Sequence, residues 1–498
     1  MSSEREAKLS VPEGFVLPPF DRLPGGIEAR PDAVWETYGT TYLDTADLRL
    51  AAWGCSLRYR EGQGWTVKLP PARDGVMFVR DEHRFDGAPG RPPAAAVDLV
   101  RAFVRTATLT PVARLRTERT RVGLVDADGG DVGEVVDDAV TVLEGRRVAS
   151  RFREVEVELS EGAPAELLPV VLAILASAGA VPDDRPASKY TRALGDRGVG
   201  RSPELAESGL GAEPTVGELV RSSLRASVTR MLVHDPEVRL ADDPEGVHQA
   251  RVATRRLRSD LRTFGPVLDP AWAGRLRDEL ARYAEALGAA RDADVLLDVL
   301  AAGAASLDER DTSVAARLID RLRQHRAGIQ EELLAAMRSR RYLALLDDLV
   351  AAAHTPAVLP EVATRSARSL GPLMERPWKH LEHAVAAGGG DPTDTQLHEI
   401  RIRAKRARYA AEALVPAFGK RARRFAEAAA ELQSVLGRHQ DAVIASAWLR
   451  DEAVHAGAGT AFVAGELAGL QQAIEHETRD EWRGVWAHLD RRKLRFWA

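Results

Sequence analysis

Part-way along this chain the hydrophobic pattern changes period, and no single core can satisfy both halves. Over residues 1–195 apolar and polar residues alternate in short runs: Thr37–Leu43, Ser56–Arg60, Trp65–Leu69, Met77–Phe85, Val112–Val122, Asp131–Val136 and Phe152–Leu159. Turn signals such as Gly62-Gln63-Gly64 and Asp128-Gly129-Gly130 separate them, so the runs predict strands. Only Ala94–Thr106 and Pro164–Ala178 have helical spacing there. From Thr215 onward Ala, Leu and Arg recur at helical spacing, with almost no β-branched alternation. The expectation is an α+β domain over 1–195 built on a large antiparallel sheet or barrel, and an all-α domain over 214–498. A linker rich in Gly, Ser and charge joins them over 196–213.

The helical half repeats itself. His248-Gln-Ala-Arg251-Val-Ala-Thr-Arg255-Arg256-Leu-Arg258 corresponds, 150 residues later, to His398-Glu-Ile-Arg401-Ile-Arg-Ala-Lys405-Arg406-Ala-Arg408. Downstream, Leu287-Gly288 and Asp292 match Leu436-Gly437 and Asp441. An internal duplication is the economical explanation, with repeats of about 215–385 and 395–495 on either side of the break Ala386–Thr395.

Bulk composition excludes several classes. The 69 Lys and Arg against 74 Asp and Glu leave a formal charge of −5, which argues against nucleic-acid binding by overall positive charge. With 45% hydrophobic residues the chain is not a disordered one. A single cysteine, Cys55, rules out an intramolecular disulfide and points to a cytoplasmic setting. The polar start MSSEREAKL carries no expected signal peptide, and no apolar run of 18 residues predicts a membrane span.

The distribution of charge says more than its sum. Glu4, Glu6 and Lys8 alternate, so on a strand they share one face. Arg58 and Arg60, Arg119 and Arg121, and Glu154, Glu156 and Glu158 do the same, while Glu134 and Asp138 are also an even number apart. A half-buried strand normally hides apolar residues and wets a mixed polar face. Here whole faces are acidic or basic. Lining the inside of a closed barrel, the basic faces would cradle a polyanion, and the acidic ones would hold a hard divalent cation that bridges to phosphate. Hydrolysis by a metal-activated water is the chemistry such a site supports. Arg114 and Arg116 have the opposite parity to Arg119 and Arg121, so one pair must face outward; Arg119 and Arg121 are assigned inward.

Glu4-x-Glu6-x-Lys8, followed by Tyr42-Leu-Asp44-Thr45, Leu57-Arg58-x-Arg60, Lys68, Glu154-Val-Glu156-Val-Glu158 and Ser188-Lys189-Tyr190, resembles the CYTH domain family, the triphosphate tunnel metalloenzymes. The resemblance spans roughly residues 1–195. It implies Mg²⁺ or Mn²⁺ bound by Glu4, Glu6, Glu134, Asp138, Glu154, Glu156 and Glu158. It also implies a triphosphate gripped by Lys8, Arg58, Arg60, Lys68, Arg119, Arg121 and Lys189, with Glu4, Glu6 and Lys8 at the catalytic end. Inorganic triphosphate, thiamine triphosphate and ATP (by cyclisation) are all substrates within that family.

In the helical half, His248, Arg251, Arg255, Arg258 and Arg262 fall within an arc of about 80°, opposite Leu257, Leu261 and Phe264. His398, Arg401, Lys405 and Arg408 repeat the arrangement opposite Ile400, Ala407 and Leu414. Few acids stand three or four residues away to neutralise either stripe. Two such stripes would hold a long linear polyanion, and the scarcity of aromatic residues fits polyphosphate better than nucleic acid. These motifs resemble the CHAD domain over roughly 215–495. That resemblance implies polyphosphate binding through His248, Arg251, Arg255, Arg256, Arg258 and Arg262, and through His398, Arg401, Lys405, Arg406 and Arg408. The combined expectation is a metal-dependent triphosphatase tethered to long-chain polyphosphate, located in the cytoplasm and at polyphosphate granules. The alternative is a polyphosphate-binding protein without turnover.

Overall fold

A computed structural model describes residues 2–12, 14–30, 34–70, 72–74, 77–160, 162–182, 188–198, 204–206 and 209–497, with the side chains of 2–6, 72–74, 77–80 and 182 left aside. The chain divides into two compact units, Met1–Ala206 and Glu207–Ala498.

The first unit contains eleven described strands: β1 (Ser2–Ser10), β2 (Glu28–Ala29), β3 (Val34–Asp44), β4 (Ser56–Arg60), β5 (Gly64–Lys68), β6 (Ala72–Asp74), β7 (Met77–Phe85), β8 (Thr110–Val125), β9 (Asp131–Glu144), β10 (Arg147–Leu159) and β11 (Val181–Pro182). Pairing runs β1-β10-β9-β8-β3-β4-β5-β7, and β7 pairs back onto β1. Eight antiparallel strands therefore close into a barrel, which removes every free edge from the ring. Gly62 and Gly64, at φ of 79° and 81°, turn β4 back onto β5, a backbone conformation that side chains with a Cβ resist. Five short helices decorate the barrel: α1 (Arg49–Ala52), α2 (Ala94–Leu99), α3 (Arg101–Val104), α4 (Leu167–Ser177) and α5 (Lys189–Ala193). The outward valines of β10, Val155 and Val157, pack with Leu9, Val135 and the buried Leu167, Val171 and Leu175 of α4.

The second hairpin strand extends well beyond the sequence expectation of Asp131–Val136. Asp137 and Asp138 disfavour a strand on propensity alone. Both are tolerated because each has a partner on its own face. Asp137 accepts two hydrogen bonds from Arg153 at 2.8 and 2.6 Å, and Asp138 faces the barrel interior.

The second unit is helical: α6 (Val216–Val233), α7 (Asp235–Leu240), α8 (Pro244–Thr263), α9 (Pro270–Ala304), α10 (Glu309–Arg338), α11 (Arg340–His354), α12 (Pro360–Ala363), α13 (Glu375–Gly388), α14 (Asp394–Phe418), α15 (Lys420–Val454) and α16 (Ala458–Leu489). The duplication is visible in these boundaries. Helices α8 and α9 start at 244 and 270, and α14 and α15 start at 394 and 420; α9 and α15 are both 35 residues long. Side-chain caps set the two stripe helices. Asp243 accepts from the Glu245 amide before Pro244, and Thr393 forms a capping box with Gln396. Leu257, Leu261 and Phe264 of the first copy, and Ile400, Ala407 and Leu414 of the second, are buried as their spacing predicts. No helix among the described residues is long and apolar enough to cross a membrane.

Candidate functional site

Strand register decides which side chains share the barrel interior, because directly opposed residues point to the same face. Lys8 on β1 lies opposite Glu156 on β10. Glu154 lies opposite Asp138 on β9, and Asp138 opposite Arg119 on β8. On the far side of the ring Tyr42 opposes Arg58, Ser56 opposes Lys68, and Lys68 opposes Glu82. One cavity of about 150 Å³ collects side chains from all eight barrel strands, with Lys189 added from α5. Lys8, Arg58, Arg60, Lys68, Arg119, Arg121, Lys189, Glu134, Glu156 and Glu158 all line it. Arg114 and Arg116 are exposed on the other face of β8.

The acids and bases inside are sorted into two groups. At one wall, Lys189 Nζ lies 2.9 Å from Asp138, 2.9 Å from Glu154 and 2.6 Å from Glu156. Arg119 donates Nε and Nη2 to Asp138 at 2.8 and 2.7 Å, Lys8 donates to Glu156, and Arg192 closes on Glu154 at 2.8 Å. Burial alone would raise the carboxyl pKa values of Asp138 and Glu156. Lys189 and Arg119 together outweigh it for Asp138, and Lys189, Lys8 and Arg119 together for Glu156, so both are lowered. Burial likewise opposes the charge on Lys189, yet Asp138, Glu154 and Glu156 hold its pKa well above the usual value.

At the opposite wall the sequence reading missed a residue. Glu82 on β7 is buried, with Lys68 at 3.0 Å, Arg58 at 3.7 Å and Arg84 at 2.9 Å. These cations overcome burial and bring its pKa down to about 2. Its only sequence signal is parity with Arg84 on β7. The Arg60 guanidinium stacks 4.3 Å from the Tyr38 ring, and its Nε finds no hydrogen-bond partner among the described residues. Burial and then Arg58 push its pKa down to about 10, so Arg60 keeps its charge at neutral pH with no carboxylate partner among the described residues.

Metal-binding residues were expected at seven positions. The side chains of Glu4 and Glu6 lie outside the described residues. Among the described residues no three acidic, His or Cys groups converge as a metal site. The donor chemistry nevertheless fits a hard divalent cation. Glu6, Glu158 and Glu134 are directly opposed across β1, β10 and β9. A row of opposed carboxylate positions is repulsive unless a cation lies against it. Burial raises the pKa of Glu134 in spite of Arg121, 3.6 Å away.

In the helical unit the expected stripes are distributed over three places. His248, Arg255, Arg256, Arg408 and Tyr409 line one cavity of about 640 Å³. Arg262 and Arg406 line another of about 670 Å³. Arg251, Arg401 and Lys405 form a third cluster that shares Arg255 with the first cavity, and burial together with repulsion from these arginines lowers the Lys405 pKa to about 7. One helix arc becomes several sites because Arg251 and Arg262 are about 16 Å apart along the axis and α14 packs against α8 between them. The Nε atoms of Arg255 and Arg401 are buried without hydrogen-bond partners among the described residues. His398 Nδ1 is 2.7 Å from Gln440 Oε1.

Acids that sequence spacing undervalued enter here. Arg256 pairs with Asp260, four residues on, and across to Glu412; Arg408 pairs with Glu412 at 2.7 Å. Arg251 lies 3.0 Å from Asp292, and Arg401 is drawn toward Asp441. Tyr409 holds three guanidiniums over its ring, those of Arg255, Arg408 and Arg256, at 5.5, 5.4 and 6.0 Å.

The CYTH domain family matches residues 34–180 and the CHAD domain family residues 222–450. An uncharacterized protein of Mycobacterium tuberculosis H37Rv, Rv2226, is 31% identical over 522 residues, covering 98% of this chain and 96% of its own. The chain belongs to the CYTH–CHAD family. The counterpart in the CDC 1551 strain, MT2285, matches to the same extent. Among solved structures, PptA from Streptomyces chartreusis covers 54% of this chain at 25% identity and a TM-score of 0.44, with 99% of that chain matched. The CHAD domain from the plant Ricinus communis covers 57% at 27% identity and a TM-score of 0.47, with 94% of that chain matched. CYTH domains are metal-dependent triphosphate-tunnel proteins that include triphosphatases and cyclases, and CHAD domains are linked to polyphosphate. The CYTH unit here is the barrel and the CHAD unit is the duplicated helical bundle.

Proposed function

We propose that the CYTH unit hydrolyses a short inorganic triphosphate with Mg²⁺ or Mn²⁺, and that the CHAD unit binds long-chain polyphosphate. The observation that carries the first part is a cavity within the barrel in which eight cations, Arg84 among them, stand beside a row of carboxylates. Lys8, Arg58, Arg60, Lys68, Arg119, Arg121 and Lys189 bind and orient the phosphate chain, and neutralise charge that develops on the transferred phosphoryl group. Glu134 and Glu158, with Glu4 and Glu6 from β1, would hold the divalent ion, which supplies charge at the phosphate oxygens and an acidified water. Asp138, Glu154 and Glu156 keep Lys189 charged and fixed, so its ammonium is aimed before substrate enters. The cavity is lined almost wholly by polar groups, which favours an inorganic chain over a bulky organic substituent.

Phosphate release from tripolyphosphate, measured with Mg²⁺ or Mn²⁺ for the natural chain and Glu6→Gln, tests the enzyme reading. Metal-dependent turnover that falls at least 100-fold in the variant supports it. Triphosphate binding without turnover in either protein would leave a binder and overturn it. For the CHAD unit, Arg255→Glu with Lys405→Glu is expected to abolish binding to long-chain polyphosphate. Unchanged, salt-insensitive binding would show that these residues are not the site, and equal binding of duplex DNA would remove the specificity for polyphosphate.

A further inference from the structure

The cavity of about 670 Å³ beside α13 differs in kind from the phosphate sites above. Its polar side carries Arg262 of α8, Arg277 of α9, Arg376 and His380 of α13, and Arg403 and Arg406 of α14. Arg403 is paired with Glu399, at 2.5 Å. Arg262, Arg277, Arg376 and Arg406 make no ion pair with any described residue, and burial together with the approach of Arg406, Arg277 and Arg258 pushes the Arg262 pKa down to about 10. Arg262, Arg277 and Arg406 repel one another, with Arg376 on the same cavity wall and Glu399, already paired with Arg403, as the acid that acts on Arg406; a bound anion relieves that repulsion and suits a wall of convergent guanidiniums.

The other side of the cavity is apolar. Pro266 follows α8, and Pro372, Leu373 and Pro377 come from the turn Ala367–Met374 and the start of α13. A bare phosphate chain has nothing to place against three prolines and a leucine. The volume falls in the range of small-molecule sites, which combine apolar walls with a few convergent polar groups.

We propose that this cavity binds a phosphorylated organic anion with a flat apolar part, of the nucleoside di- or triphosphate class. The phosphates lie on Arg262, Arg277, Arg376 and Arg406, and the ring system rests on Pro266, Pro372, Leu373 and Pro377. The site is independent of the barrel and needs no metal-dependent turnover. The chain would thus sense an organic phosphate in the same unit that holds polyphosphate.

Photolabelling of the full chain with 8-azido-ATP in EDTA, followed by peptide mapping, tests this directly. The expected result is labelling within 262–277 or 372–380, suppressed by excess ATP and at least tenfold less by equimolar tripolyphosphate. Labelling absent from those peptides overturns the proposal. Equal suppression by tripolyphosphate also overturns it, because the cavity would then read phosphate alone. Arg277→Glu with Arg376→Glu should remove this label while any label in the barrel persists. Where that double variant loses its helical circular dichroism, Arg376→Glu alone serves, with the same outcomes.

Discussion

Arg119 and Asp138 meet on neighbouring strands of the barrel through two parallel hydrogen bonds of 2.8 and 2.7 Å, with Asp138 wholly buried. Lys189 approaches the same carboxylate from a helix that begins 51 residues further along, at 2.9 Å. The pair belongs at once to the stability of the barrel and to the aim of its cations.

Asp138→Asn removes the carboxylate that takes both hydrogen bonds from Arg119 and one of the three carboxylates around Lys189. Breaking a buried charge pair costs about 3–5 kcal/mol. Hydrogen exchange of the β8–β10 amides is expected to accelerate accordingly, while helical amides of the CHAD unit are unchanged. Protection equal to that of the natural chain would show that Asp138 is not needed to hold these strands.

Glu82 has a pKa of about 2 against an unfolded value near 4.5, so its folded form binds the proton more weakly. Its stabilising contribution is therefore present above about pH 4.5 and is lost as pH falls toward 2, with a ceiling of about 3 kcal/mol. Glu82→Gln should flatten the acid limb of barrel stability over that window. An unchanged acid limb would assign it to other carboxylates.

Lys405 sits near pKa 7, surrounded by Arg401, Arg255 and Arg251, with Asp441 as the nearby acid. A polyanion restores its proton, so polyphosphate affinity should fall by up to about tenfold from pH 6 to pH 8. Lys405→Arg should bind with little dependence on pH in the same titration. Equal pH dependence in both proteins would exclude Lys405 as its source.

Arg105 is 1% exposed and grips Glu204 through two bonds of 2.9 and 2.7 Å, beside the buried Leu205. The segment expected to be linker is thus docked onto the barrel unit at this point. Glu204→Ala should raise the rate of proteolytic cleavage between 198 and 209 severalfold, because a buried guanidinium without its carboxylate no longer favours the docked segment. Cleavage at the natural rate would show that Leu205 alone anchors it.

Much of the site could be read in advance where charge and period coincide. Lys8, Arg58, Arg60, Lys68, Arg119, Arg121, Glu156 and Glu158 line one cavity because strand parity already sorted them to one face, and the Ser188-Lys189-Tyr190 motif adds Lys189 from α5. Glu82 escaped because β7 holds Arg80, Asp81, Glu82 and Arg84, a mixed set whose inward members only register can select. The helical stripes were visible as well, but their counter-charges were not. Glu412 reaches Arg256 from 156 residues away, which no local spacing encodes.

The sequence by itself determined the change from a two-residue to a helical period, the faces on which charges gather, and the duplication of α8 and α9 as α14 and α15. Those properties are local, set by side-chain direction along a single element. Only the tertiary structure decided which acid meets which base. Pairing of β1 with β10 and the seating of α5 bring Lys8, Glu156 and Lys189 together from positions up to 181 residues apart in the chain. Whether a buried charge is satisfied, repelled or left for a ligand depends on neighbours within a few ångströms, and the fold alone supplies them.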